Sequence, residues 1–141
     1  MTASDTRGGT YALEIEVGAD LCTMVGALGE YTFPAGRYVY VGSALGQGGF
    51  KRIDRHRAIA NGDHDTRHWH IDYLLGSRDV MLASVFRLVD VACECELATA
   101  IPGRRVAAFG ASDCSCGAHL IQIQNVPAVR SAIDRFRDPE E

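Results

Sequence analysis

Long apolar runs are missing from this 141-residue chain, and no stretch approaches the roughly 20 apolar residues that a membrane-spanning helix needs. The first ten residues, MTASDTRGGT, lack the apolar segment of a signal peptide, so a soluble, cytoplasmic protein with no membrane partner is expected. A basic excess is missing too. Fourteen Lys and Arg against eighteen Asp and Glu give a net charge of −4, which argues against coating nucleic acid by bulk charge. A local basic site is still allowed. Lysine is nearly absent, with Lys51 alone among thirteen arginines, a bias that genome composition explains. Repeats, low-complexity tracts and linkers are absent. The chain therefore reads as a single domain over residues 9–137, with short tails at 1–8 and 138–141. Five cysteines are an odd number for an intracellular chain, which argues against a disulfide framework.

What is present is ordinary globular material, 47% hydrophobic and 23% charged. The most informative stretch is Tyr38 to His56, YVYVGSALGQGGFKRIDRH. Its first four residues are aromatic and β-branched, the composition of a strand. Glycines at 42, 46, 48 and 49 then supply a turn, and from Phe50 apolar positions recur at helical spacing. Arg52 and His56, four apart, fall on one face of that helix, roughly 49–60, which Asn61-Gly62-Asp63 stops. A strand delivering a tyrosine, a flexible turn and a helix presenting Arg and His together suit an anion.

Around that stretch, Thr10–Val17 alternates, with Tyr11, Leu13, Ile15 and Val17 on one face and Glu14 and Glu16 on the other. That predicts a half-buried strand. Leu21–Leu28 and Tyr31–Phe33 predict a hairpin leading into Tyr38–Val41. Further on, the pattern predicts a helix over 68–75, a strand over 80–89, a helix over 92–101, a strand over 119–123 and a closing helix over 126–136. The order defines an α+β domain, a small, mainly antiparallel mixed sheet with helices packed around it. His68, His70 and Asp72 look like a metal cluster, but residues two apart on a helix point apart, so structural roles fit them better.

Gly9-Thr10-Tyr11 on the first strand and Tyr40-Val41-Gly42 on a later one resemble the two tripeptides that define the GIY-YIG endonuclease superfamily. Arg52 stands where that superfamily carries an essential arginine, and His56 follows it by four as in the branched-DNA nucleases. Glu94, opening Glu94-Cys95-Glu96-Leu97-Ala98, matches the metal-binding glutamate of a later helix. More narrowly, YVYVGSALG, RHWHIDYLL, ECELA and FGASDCSCGAHL resemble an uncharacterised GIY-YIG-like family of prokaryotic proteins, the domain of unknown function 123. Some of its members are fused to an endonuclease III-type DNA glycosylase. Two departures stand out. The tyrosines of the tripeptides lie 29 positions apart, which implies an inserted hairpin, and Thr10 replaces an aliphatic residue.

The resemblance implies divalent-metal-dependent hydrolysis of DNA phosphodiesters in repair or processing of branched or damaged DNA, with a DNA-repair protein as partner. Glu94 would hold Mg²⁺ or Mn²⁺, ions that suit a single carboxylate and retained waters. Arg52 would grip the phosphate through its forked guanidinium. Tyr11, partnered by Tyr40, would position or deprotonate water. His56, with an ordinary pKa near 6.5, is chemically the easier proton acceptor. Gly42, Ser43, Lys51, Arg55 and Arg57 would line the nucleic-acid side. Core packing is the alternative role for each tyrosine, and solvated helix surface for the arginines, His56 and Glu94. A second function class is a catalytically weak or inactive nucleic-acid-binding module. A third is a structural Zn²⁺ protein built on Cys114, Cys116 and His119, with Cys93, Cys95 or a distant His as the fourth ligand.

Overall fold

In the computed structural model, residues 8–25, 29–44, 49–63, 70–89, 91–106 and 119–136 are described. The elements are β1 (Gly9–Val17), β2 (Leu21–Met24), β3 (Glu30–Phe33), β4 (Gly36–Ser43), α1 (Lys51–Ala60), α2 (His70–Leu75), β5 (Val80–Val89), α3 (Glu94–Ala100), β6 (Arg104–Arg105), β7 (Leu120–Ile123) and α4 (Val126–Arg135). Five strands form one sheet in the order β5-β1-β4-β7-β6, and β2 and β3 form a separate pair. Every pairing among them is antiparallel. The α+β expectation holds, but the sheet is purely antiparallel rather than mixed. The inserted hairpin is β2–β3, which pairs with itself, while β4 returns to pair with β1.

The half-buried strand that the alternation in β1 predicts is instead covered on both faces. β1 is the second strand of the sheet, and helices pack against both faces, so it is buried almost throughout. On one face Tyr11, Leu13, Ile15, Tyr38 and Tyr40 pack with Ile53 and Ile59 of α1 and with Ile71, Leu74 and Leu75 of α2. On the other, Ala12, Val39, Val41, Leu88 and Ile121 pack with Leu97 and Ala98 of α3 and with Val129, Ala132 and Ile133 of α4. Glu14 lies on this second face, 1% exposed, and its carboxylate accepts from Arg130 of α4 at 3.1 Å. The charge is tolerated because a buried carboxylate with a guanidinium partner avoids the full cost of desolvation. Thr10 also points this way. Its hydroxyl donates to the Val91 carbonyl at 2.7 Å and accepts from Cys93 N–H at 3.0 Å, fixing the entry to α3. A hydroxyl does what an aliphatic residue there could not.

The closing helix, expected over 126–136, is capped by Asn125, whose side chain accepts from Ala128 N–H, with Pro127 in the first turn. The two-residue strand β6 carries no pattern and was not foreseen. It exists because Gly103, at φ +147°, lets the chain pass against β7, where a Cβ would stand 2.3 Å from the Gln122 carbonyl oxygen. Among the described residues, no helix is long and apolar enough to cross a membrane.

Candidate active site

The antiparallel register sets Tyr11 of β1 directly opposite Gly42 of β4. The two tripeptides are therefore neighbours on adjacent strands. The absence of a side chain at 42 is required: a Cβ there would lie 2.4 Å from Tyr11 Cζ and 2.5 Å from its hydroxyl. With that space open the phenol lies across β4, and its hydroxyl meets His56 Nε2 of α1 at 2.7 Å. Tyr40 completes the group, with ring centroids 6.5 Å from Tyr11 and 6.3 Å from His56. All three are buried, Tyr11 at 1%, Tyr40 at 8% and His56 at 0% exposure.

Burial sets their charge. Desolvation raises the Tyr11 pKa well above its usual value, and the neighbouring Tyr40 adds to that; the charge of Arg52 and a hydrogen bond from it pull the other way. Tyr40 is raised as well, by burial first and then by the Glu94 carboxylate. Burial lowers His56 to about 4, against the opposing pull of Asp72, with Arg55 and Arg52 lowering it further. At neutral pH the group is thus two phenols and a neutral imidazole. Arg52 also approaches the Tyr11 oxygen, and the direction of the Tyr11–His56 hydrogen bond is set by the imidazole tautomer.

Arg52 also donates to the Ser43 carbonyl, so it ties the end of β4 to α1 while keeping partial exposure. Glu94 opens α3 with its carboxylate 31% exposed, and its Oε2 is 3.1 Å from His119 Nδ1. Its negative charge adds to the raised values of both tyrosines. The structure brings together Tyr11, Tyr40, Arg52 and His56, with Gly42 and Ser43 as their backbone support, and sets Glu94 at the start of α3 beside His119.

Other predicted residues are elsewhere. Arg55 is engaged by the fully buried Asp72 of α2, with paired contacts of 3.1 and 2.8 Å, so this guanidinium braces α1 against α2 instead of facing a ligand. Lys51 is exposed at the start of α1. Arg57 is exposed and lines a shallow cavity with Ala60, Asn61 and residues Val80–Val85 of β5. Cys114 and Cys116 lie outside the described residues, as do His68 and Trp69. His119 is buried between Glu94 and Cys95, whose Sγ is 3.7 Å from His119 Nε2. Cys95 is disulfide-bonded, a departure from the all-thiol expectation, whereas Cys22 and Cys93 are free.

Among the described residues no three His, Cys, Asp or Glu side chains gather as a metal cluster. A lone, partly exposed carboxylate fits an ion such as Mg²⁺ that retains most of its waters. Sequence reading missed Arg87. This residue sits opposite Tyr11 on the other side of β1, so Gly42, Tyr11 and Arg87 form one row across the sheet. Only strand register reveals it.

Fold and site together define an α+β domain with a buried Tyr–His pair, a partly exposed arginine next to it and a partly exposed carboxylate at the start of α3. The profile described as "Domain of unknown function DUF123" matches residues 10–138, and the chain belongs to that family. Neither the curated proteins nor the solved structures contain a match.

Proposed function

We propose that the chain is a GIY-YIG-like nuclease domain that hydrolyses DNA phosphodiesters with a divalent metal, acting on branched or damaged DNA. The observation that carries this reading is the 2.7 Å contact between the Tyr11 hydroxyl of β1 and His56 Nε2 of α1, the helix that also carries Arg52. Phosphodiester hydrolysis needs a path for the proton of the attacking water and positive charge for the developing oxyanion. The Tyr11–His56 pair supplies the first. Water that gives a proton to the phenol oxygen lets the phenol pass its own to His56, and no phenolate need form. An imidazole held near 4 is a weak acceptor, but a phosphate anion in the site favours its protonated form and raises that value. Arg52 supplies the second requirement, a fixed guanidinium next to the reacting group.

Glu94 would hold Mg²⁺ or Mn²⁺, and such an ion when bound polarises a phosphate oxygen and supports the leaving group. His119 Nδ1 stands 3.1 Å from the Glu94 carboxylate. The burial of Tyr11, Tyr40 and His56 favours one other reading, a module that holds nucleic acid through Arg52 without cutting it. One experiment separates the two. Supercoiled and branched DNA are incubated with Mg²⁺ or Mn²⁺ and wild-type, Arg52→Ala or Glu94→Ala protein. The nuclease reading expects wild-type nicking that drops at least about 100-fold in both variants, the usual loss when one preorganised group is removed. Wild-type nicking that persists in Glu94→Ala sinks the proposed metal role. Binding without cleavage, lost in Arg52→Ala, favours the module.

A further inference from the structure

We propose that Arg87 is a second phosphate-binding residue of this site, and that the ligand is therefore a polynucleotide strand running from α1 onto β5, not a mononucleotide. The inference rests on the nucleic-acid reading above. Residues paired across antiparallel strands project to the same face of a sheet, so Arg87 stands beside Tyr11 on the side that carries the Tyr–His–Arg group. It is the sole charge in the ten residues of β5, VMLASVFRLV. Its side chain is exposed, yet the guanidinium is held 5.8 Å from the centroid of the Phe50 ring. Phe50 is buried and immediately precedes Lys51 and Arg52 at the start of α1. Stacking on that ring therefore holds Arg87 at the same end of α1 as those two cations.

Several other arginines of the fold are engaged by protein groups. Arg37 and Arg130 pair with Glu14, Arg55 pairs with Asp72, and Arg105 is bonded to the carbonyls of Ala98 and Thr99. Among the described residues no carboxylate pairs with Arg87, so its charge faces solvent next to the site. Two cations flank one group, Arg52 on the helix side and Arg87 on the strand side, and each would take a separate phosphate of one strand. The plainer role for Arg87 is to discourage edge-to-edge pairing of β5, an edge strand, and a charge of any origin does that.

The two roles differ in salt dependence. The dissociation constant of a fluorescent branched DNA is measured without divalent metal from 50 to 200 mM salt. The proteins compared are wild type, Arg87→Ala, Arg87→Lys, Arg52→Ala and, as a control on α4 at the opposite sheet face, Arg135→Ala. Losing one phosphate contact flattens the log–log slope by about 0.9 on duplex and about 0.7 on single strands. Arg87→Ala should weaken binding several-fold with that flattening, Arg87→Lys should restore the slope, and Arg135→Ala should match wild type. If Arg87→Ala keeps the wild-type slope while Arg52→Ala loses binding, Arg87 does not bind phosphate and the nucleic-acid reading stands. If wild type does not bind DNA at all, both fall.

Discussion

Tyr11 and His56 are 45 residues apart in the chain, yet the phenol and the imidazole meet at 2.7 Å inside the protein. Both side chains are almost wholly buried, and neither carries charge at neutral pH. Their contact depends on a third residue with no side chain, Gly42, and is polarised by a fourth, Arg52.

The dependence on Gly42 is directly testable. Gly42→Ala puts a methyl group 2.4 Å from Tyr11 Cζ, and the ring has buried neighbours on its other side. Overpacking of this kind typically costs about 1–3 kcal/mol. Chemical denaturation should show the midpoint lowered accordingly, with any nuclease activity reduced as the phenol is displaced from His56. An unchanged midpoint would mean that the ring has room to move.

The depressed His56 pKa makes stability pH-dependent. In the unfolded chain this imidazole protonates near 6.5, whereas in the fold it resists protonation until about 4. As pH falls below 6.5 the unfolded state therefore binds the proton first. The contribution is complete above 6.5 and is lost progressively down to 4. Between pH 7 and pH 5 the linkage amounts to about 2 kcal/mol. Urea midpoints over that interval should fall in wild type and stay flatter in His56→Gln. Parallel curves would show that His56 does not resist protonation in the fold.

Much of this was legible in the chain itself. The strand and helix signals around Tyr38–His56 gave β4 and α1, and the Arg52–His56 spacing survives on one helix. Pairwise partners across long separations were not legible. The alternation of Glu14 with apolar neighbours looks solvent-facing because nothing local announces that α4, more than a hundred residues later, brings Arg130 to cover it. Arg55 reads as a surface cation until the fold supplies Asp72. Arg87 is a single charge in an apolar strand, and only the β1–β5 register places it beside Tyr11. Gly42 was legible as a turn glycine for the wrong reason. Its role is to make space for a ring on the neighbouring strand.

The most direct test of the account is Tyr11→Phe, which removes one oxygen and keeps the ring that fills the core. Cleavage of branched DNA with Mg²⁺ is followed beside circular dichroism, which checks that the variant folds, and DNA binding without metal. Removing the hydroxyl leaves His56 Nε2 without its phenol partner, at a cost of about 1–3 kcal/mol, which a folded domain should survive. The account predicts a folded protein that binds DNA near the wild-type level and cleaves at least about 100-fold more slowly, the loss expected when a proton-transfer group is removed. Cleavage at the wild-type rate by folded Tyr11→Phe would contradict it.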